Sequence, residues 1–210
     1  MRLFYPAATM LMKALLLSLS HWQVRGKENV PREGPLIVAT NHLSLIDPPL
    51  LSASIPRQIV FMAKEELFRS PRGSFFVRAF GAFPVRRGEL DREAVRQALM
   101  VLQAGQVLGM FPEGKRSSNA KLQAAQAGAS FIASRSGAPI LPVGISGSEN
   151  VSGLGFILKR PTITVAIGRP FSLPSIQEGQ IGRQLGELTA LTMGRIAELL
   201  PQSYKGGYSD

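Results

Sequence analysis

The chain has no cysteine in 210 residues. That removes a disulfide framework, a thiolate nucleophile and a cysteine-based zinc site at once, and it suits a reducing compartment. Histidine is almost as scarce, with only His21 and His42. A histidine-rich metal site therefore has no ligands to draw on. His21 closes an apolar amino-terminal segment, so a histidine general base is His42 or no histidine at all. Charged residues make up 18% of the chain, below the usual quarter. There is no run of five or six like charges, no zinc-finger spacing and no aromatic-rich RNA-recognition signature. A Walker loop and a dinucleotide fingerprint are also missing. Gly144-Ile145-Ser146-Gly147-Ser148 comes near the Gly-x-Ser-x-Gly elbow of serine hydrolases but ends in serine.

What remains is aliphatic and basic. Hydrophobic residues make up 45% of the chain, mean hydropathy is +0.10, and the length suits one domain with a real core. The net charge of +10 seeks phosphates, whether of nucleic acid, anionic lipid or a small substrate. The amino terminus favours lipid. Leu3–Met12 and Ala14–His21 are nearly all apolar but are separated by Lys13. Each piece is shorter than the ~20 residues that span a bilayer. No small-x-small cleavage site follows Ser20, where His21 and Trp22 stand. With Arg2, Lys13, Phe4, Tyr5 and Trp22, the composition predicts a helix lying in the membrane interface. An ordinary helix packed on the domain is the alternative.

Alternation of apolar runs with helical patterns predicts an α/β fold: a single-domain sandwich with a central, mostly parallel or mixed sheet flanked by helices. The expected strands are Trp22–Arg25, Leu36–Thr40, Ile59–Ala63, Val107–Phe111, Ile140–Ile145 and Thr162–Ile167. Helices are expected over Asp91–Ala104 and Leu122–Ser136, each closed by a glycine. A final amphipathic helix carries Ile181, Leu185, Leu188, Ile196 and Leu199. The expected division is residues 1–21 as the membrane-associating segment, 22–202 as the domain and 203–210 as a flexible tail.

Loops beyond the carboxyl ends of buried strands are where α/β proteins place function. Asn41-His42-Leu43-Ser44-Leu45-Ile46-Asp47 follows one such strand. Asp47 before Pro48 could simply start a helix, or it could orient His42 if part of the segment is a turn. Phe111-Pro112-Glu113-Gly114-Lys115-Arg116-Ser117 follows another strand and reads as an anion-binding turn or as a solvated basic loop. Arg86-Arg87 is equally two-sided, with phosphate ligands on one reading and partners of Glu89 and Asp91 on the other.

The ordered set of motifs resembles the 1-acylglycerol-3-phosphate acyltransferases, within the glycerophospholipid acyltransferase group. Their Asn-His-x-x-x-x-Asp hallmark is met by Asn41, His42 and Asp47. The Gly-x-x-Phe/hydrophobic-x-x-Arg block is met by Gly81 to Arg87, with Arg87 as its arginine. Phe-Pro-Glu-Gly-Thr-Arg-Ser is met by Phe111 to Ser117, with Lys115 standing where the family has threonine. Leu141-Pro142-Val143-Gly144-Ile145 matches the closing proline-bearing strand.

The resemblance implies transfer of a fatty acyl group from acyl-CoA or acyl carrier protein to the sn-2 hydroxyl of 1-acylglycerol 3-phosphate. It implies His42 as general base, Asp47 as its orienting carboxylate, and Arg87, Glu113, Gly114 and Arg116 as substrate ligands. It implies no cofactor, no metal and no nucleic-acid partner, and a place on the cytoplasmic face of the membrane. Glycerol 3-phosphate, another lysophospholipid or an acylated amino acid are alternative acceptors. Water in the acceptor's place would make the protein a thioester or lipid hydrolase.

Overall fold

The structure, a computed structural model, describes residues 4–86, 91–151, 156–175 and 181–208. Its centre is β2, Leu36–Thr40, five apolar or hydroxyl-bearing residues that are all buried. Successive side chains of a strand face opposite ways, and β2 divides accordingly. Leu36 and Val38 enter one core cluster; Ile37 and Ala39 enter a second on the other face. A strand buried on both sides needs helices on both sides, which makes a three-layer α/β/α sandwich.

The remaining strands are β1 His21–Arg25, β3 Ile59–Lys64, β4 Ala82–Val85, β5 Val107–Met110, β6 Ile140–Ser146 and β7 Thr162–Ile167. Among the described residues they form one seven-stranded sheet in the order β1-β7-β6-β2-β5-β3-β4. Neighbours pair in parallel except β6 and β7, which are antiparallel. The sheet is therefore mixed. The first core cluster joins β2 to α1 (Phe4–Leu19) and α2 (Asp47–Ser54). The second joins it to α4 (Arg92–Gln103), α5 (Gly128–Ser136) and α7 (Ile181–Ala197). The other α-helices among the described residues are α3 (Pro71–Ala79) and the single-turn α6 (Phe156–Lys159). The sheet's middle strands β2 and β5 lie side by side, with Ala39 opposite Met110, so the loops leaving their carboxyl ends emerge together. That juncture is the crevice where open α/β sheets bind ligands.

The apolar amino terminus forms one helix, Phe4–Leu19, that runs through Lys13. It both packs on the domain, through buried Tyr5 and Leu16, and leaves Phe4, Met10, Leu11 and Leu17 exposed. Among the described residues, no helix is long and apolar enough to cross a membrane. The helix expected over Leu122–Ser136 begins only at Gly128. The amide of Gln126, which would bond the Leu122 carbonyl in such a helix, is committed to the Pro112 carbonyl, while those of Leu122 and Gln123 tie the segment to the Tyr204 carbonyl and the Glu113 carboxylate. The tail expected to fray forms two 3-10 turns, Gln202–Tyr204 and Gly206–Tyr208. Its Tyr204 bonds Gly147 and Glu149 as well as Leu122.

Candidate active site

Residues 41–44 leave β2 without regular structure, and α2 starts only at Asp47. This turn is what allows His42 and Asp47 to meet, because five residues along an ideal helix point about 140° apart. His42 Nδ1 lies 2.8 Å from Asp47 Oδ2. Asp47 is no ordinary helix cap. The two residues after it are prolines, which have no N–H to be capped, so its carboxylate turns back to the preceding loop. Oδ2 also accepts from the amides of Leu43 at 2.7 Å and Ser44 at 2.8 Å, and Oδ1 accepts from the Ser148 hydroxyl at 2.6 Å. Three donors thus converge on Oδ2 and one on Oδ1, so Asp47 is hydrogen-bonded through both oxygens although it is 0% exposed.

An acceptor so surrounded by donors requires the His42 proton to sit on Nδ1, which leaves the Nε2 lone pair for another partner. Among the described residues Nε2 makes no hydrogen bond, and it is not among the buried unpartnered atoms. The imidazole therefore presents a base to the crevice. Phe111, from the end of β5, stacks on it at 4.1 Å between ring centroids and is backed by Phe61. Phe61 fits because Gly109 stands opposite it in the sheet; a β-carbon there would collide with the ring. Asn41 bonds both the carbonyl and the amide of Ile145, each at 2.8 Å. The turn is thus fastened on either side of the histidine.

The second loop is tied to the first by Glu113, which is 2% exposed. Its Oε1 accepts from the His42 amide and its Oε2 from the Gln123 amide, both at 2.9 Å. Burial pushes its carboxyl above the ordinary glutamate value, the two amide bonds pull it back, and the Asp47 charge adds to the rise. Glu113 thus braces the two loops, and each of its oxygens keeps a second lone pair. The Gly114 amide closes the turn onto the Phe111 carbonyl at 2.9 Å, with φ at 68°, a backbone region that favours glycine.

Lys115 and Arg116 are exposed and, among the described residues, have no ion-pair or hydrogen-bond partner. The next residue, Ser117, donates its amide to the His42 carbonyl at 2.7 Å, so the free cations belong to the same loop cluster as the base. Arg86 is spoken for: its guanidinium lies 3.9 Å from both Glu65 and Asp91. Arg87 lies outside the described residues. Ser148 is the contributor that sequence reasoning missed. It stands 101 positions from Asp47, and no local spacing signals that contact; only its place just past a buried strand hinted at a site.

A family model described as Acyltransferase matches residues 21–146. A 1-acyl-sn-glycerol-3-phosphate acyltransferase of Bacillus subtilis is 29% identical over 90% of this chain and 92% of its own length. A protein of the same name from Streptococcus pneumoniae is 31% identical over 84% of this chain and 66% of its own length. The crystal structure of the 1-acyl-sn-glycerophosphate acyltransferase PlsC from Thermotoga maritima superposes with a TM-score of 0.68 at 27% identity. That match covers 88% of this chain and 76% of the other.

Proposed function

The chain belongs to the Acyltransferase family, and from that premise we propose that it acylates 1-acylglycerol 3-phosphate to phosphatidic acid, drawing the acyl group from a thioester. The observation that carries this reading is the His42–Asp47 contact of 2.8 Å, with Nε2 free among the described residues beside a loop whose two cations are unpaired among them. An alcohol is a weak nucleophile until a positioned base removes its proton, and such a base contributes roughly 10²–10⁴ in rate. His42 Nε2 takes the proton of the acceptor's sn-2 hydroxyl as that oxygen attacks the thioester carbonyl carbon. Asp47 stabilises the imidazolium that forms and stays ionised itself. The tetrahedral intermediate collapses with cleavage of the C–S bond, and the imidazolium returns the proton to the departing thiolate. Ester and free thiol result.

Arg116 and Lys115 hold the acceptor's phosphate on this reading, with Arg87 as a further ligand. Arginine offers a bidentate fork and lysine a point charge. Glu113 and Gly114 act indirectly, by shaping the loop that presents these cations. Coenzyme A and acyl carrier protein both supply the required thioester, as direct partners in the reaction.

The substrates enter from a membrane surface. The exposed face of α1 is apolar, and Phe4 meets Phe75 of α3 edge to face at 6.1 Å. Phe75 is 64% exposed, and Leu45, two residues before Asp47, is 58% exposed. An exposed apolar surface on a chain of net charge +10 suits monotopic attachment to anionic lipid. A cytoplasmic supply of thioester puts that attachment on the cytoplasmic face.

Thiol release measured across acceptors tests the substrate assignment. The reading expects release that depends on 1-acylglycerol 3-phosphate and falls sharply with acceptors that lack phosphate. Equal rates without any phosphate group would overturn it, and fatty-acid release that the acceptor does not suppress would point to a hydrolase.

A further inference from the structure

Ser146, Gly147 and Ser148 resemble part of a nucleophile elbow, but the structure turns Ser148 to another use. Its hydroxyl donates to Asp47 Oδ1 at 2.6 Å, the short distance typical of O–H bonded to an ionised carboxylate. It is 0% exposed. Oδ2 has three donors, whereas Ser148 is the donor that Oδ1 has among the described residues. A packing role alone would not need this hydroxyl.

The turn that carries Ser148 is built for it. Ser148–Asn150 is a single 3-10 turn entered through Gly147 at φ 86°. A β-carbon on Gly147 would run into the Thr162 carbonyl, so the chain must be glycine here. Tyr204, from the carboxyl-terminal 3-10 turn, clamps the other side. Its phenolic oxygen accepts from the Gly147 amide at 3.2 Å and donates to Glu149 Oε1 at 2.6 Å. Burial, with the bond to Glu149 next, pushes the Tyr204 phenol up to about 12, so it stays a donor across the working pH range.

We infer that Ser148 is a positioning residue for the His42–Asp47 pair and that Tyr204 holds the turn presenting it. The inference rests on His42 as general base. Ser148 withdraws negative charge from Asp47 and fixes the carboxylate's rotation, so that Oδ2 stays aimed at His42 Nδ1. The other acidic groups nearby are Glu113, bound by the His42 and Gln123 amides, and Glu149, whose Oε1 accepts from Tyr204 while its Oε2 is buried without a partner among the described residues. Without the Ser148 hydroxyl, more charge faces the imidazole, the imidazolium is favoured, and less free base is present at low pH.

The test is the pH profile of kcat and kcat/KM for wild type, Ser148→Ala and Tyr204→Phe, using purified full-length protein with fold checked by circular dichroism. Ser148→Ala should lower kcat by roughly 10-fold with the acceptor KM little changed, and should move the acid limb to higher pH by about half a unit to one unit. Tyr204→Phe keeps the ring and should move both quantities the same way by less. It stands as the deciding variant if Ser148→Ala does not fold. A lower melting temperature with kcat and the acid limb unmoved would make Ser148 merely structural and overturn the inference. An inactive His42→Ala beside unmoved profiles for both variants refutes this inference alone; an active His42→Ala refutes the general-base reading itself.

Discussion

The side-chain amide of Asn41 bonds both backbone groups of Ile145, 104 positions away, at 2.8 Å each. Backbone pairing of β2 with β6 reaches Thr40 opposite Val143; Asn41 carries the ladder one step further with its side chain. The backbone is thereby free to turn at His42. Asn41→Ala leaves a buried N–H and C=O of Ile145 unpaired, at about 1–3 kcal/mol. The expected result is a melting temperature lower by roughly 2–10 °C, with kcat reduced more than KM is raised, read by thermal denaturation and steady-state kinetics.

Glu113→Gln tests the brace between the two loops. An amide offers one accepting oxygen where two backbone N–H groups need one each, so its NH₂ must face a donor. The expected loss is about 1–3 kcal/mol in stability, measured by denaturant unfolding. A fall in kcat should accompany it, because the misplaced group is the His42 amide. A stability equal to wild type would show that the two bonds do not constrain the loops.

Arg116→Ala removes an exposed cation that is unpaired among the described residues. A hydrogen bond to a charged partner contributes about 1.5–3 kcal/mol, so the KM for 1-acylglycerol 3-phosphate should rise roughly 10-fold or more while kcat holds. Wild-type KM should also rise with added salt, and the variant's should rise less. The measurement is a KM series in salt for both proteins.

Asp91 fastens the end of β4 to the start of α4. It accepts from the Arg86 amide at 2.9 Å and from the Ala94 amide at 3.1 Å, and these bonds, Arg86's first, hold its carboxyl below the ordinary 3.8. A carboxyl lowered in the fold stabilises above its unfolded value and loses that contribution as pH falls through its folded value. The melting-temperature advantage of wild type over Asp91→Ala should therefore be full at neutral pH. It should fade below pH 3.8, as a pair of thermal scans at several pH values would read.

Much of this was legible in the chain because the signals were local. The alternation at Ile163, Val165 and Ile167 marks a strand, and the helix expected over Asp91–Ala104 is found over Arg92–Gln103. The His42–Asp47 pairing was readable only as one of two alternatives, since the deciding feature is how the prolines free the carboxylate. Long-range bonds left no local trace. Ser148 reaches Asp47, Tyr204 reaches Glu149, and Glu113 reaches His42 across gaps that no periodicity records. The stretch 122–127 has a helical composition, but the Gln126 amide is taken by the Pro112 carbonyl. The roles of Glu113 and Gly114 likewise depend on which backbone groups reach them, a property of the assembled fold.

The central claim is that His42 deprotonates the acceptor hydroxyl. It is tested most directly by quantifying phosphatidic acid formed from acyl-CoA and 1-acylglycerol 3-phosphate by wild type and by His42→Ala of equal thermal stability. The account predicts product from wild type and a loss of roughly 10² or more in the variant. Phosphatidic acid formed by the variant at the wild-type rate would contradict it.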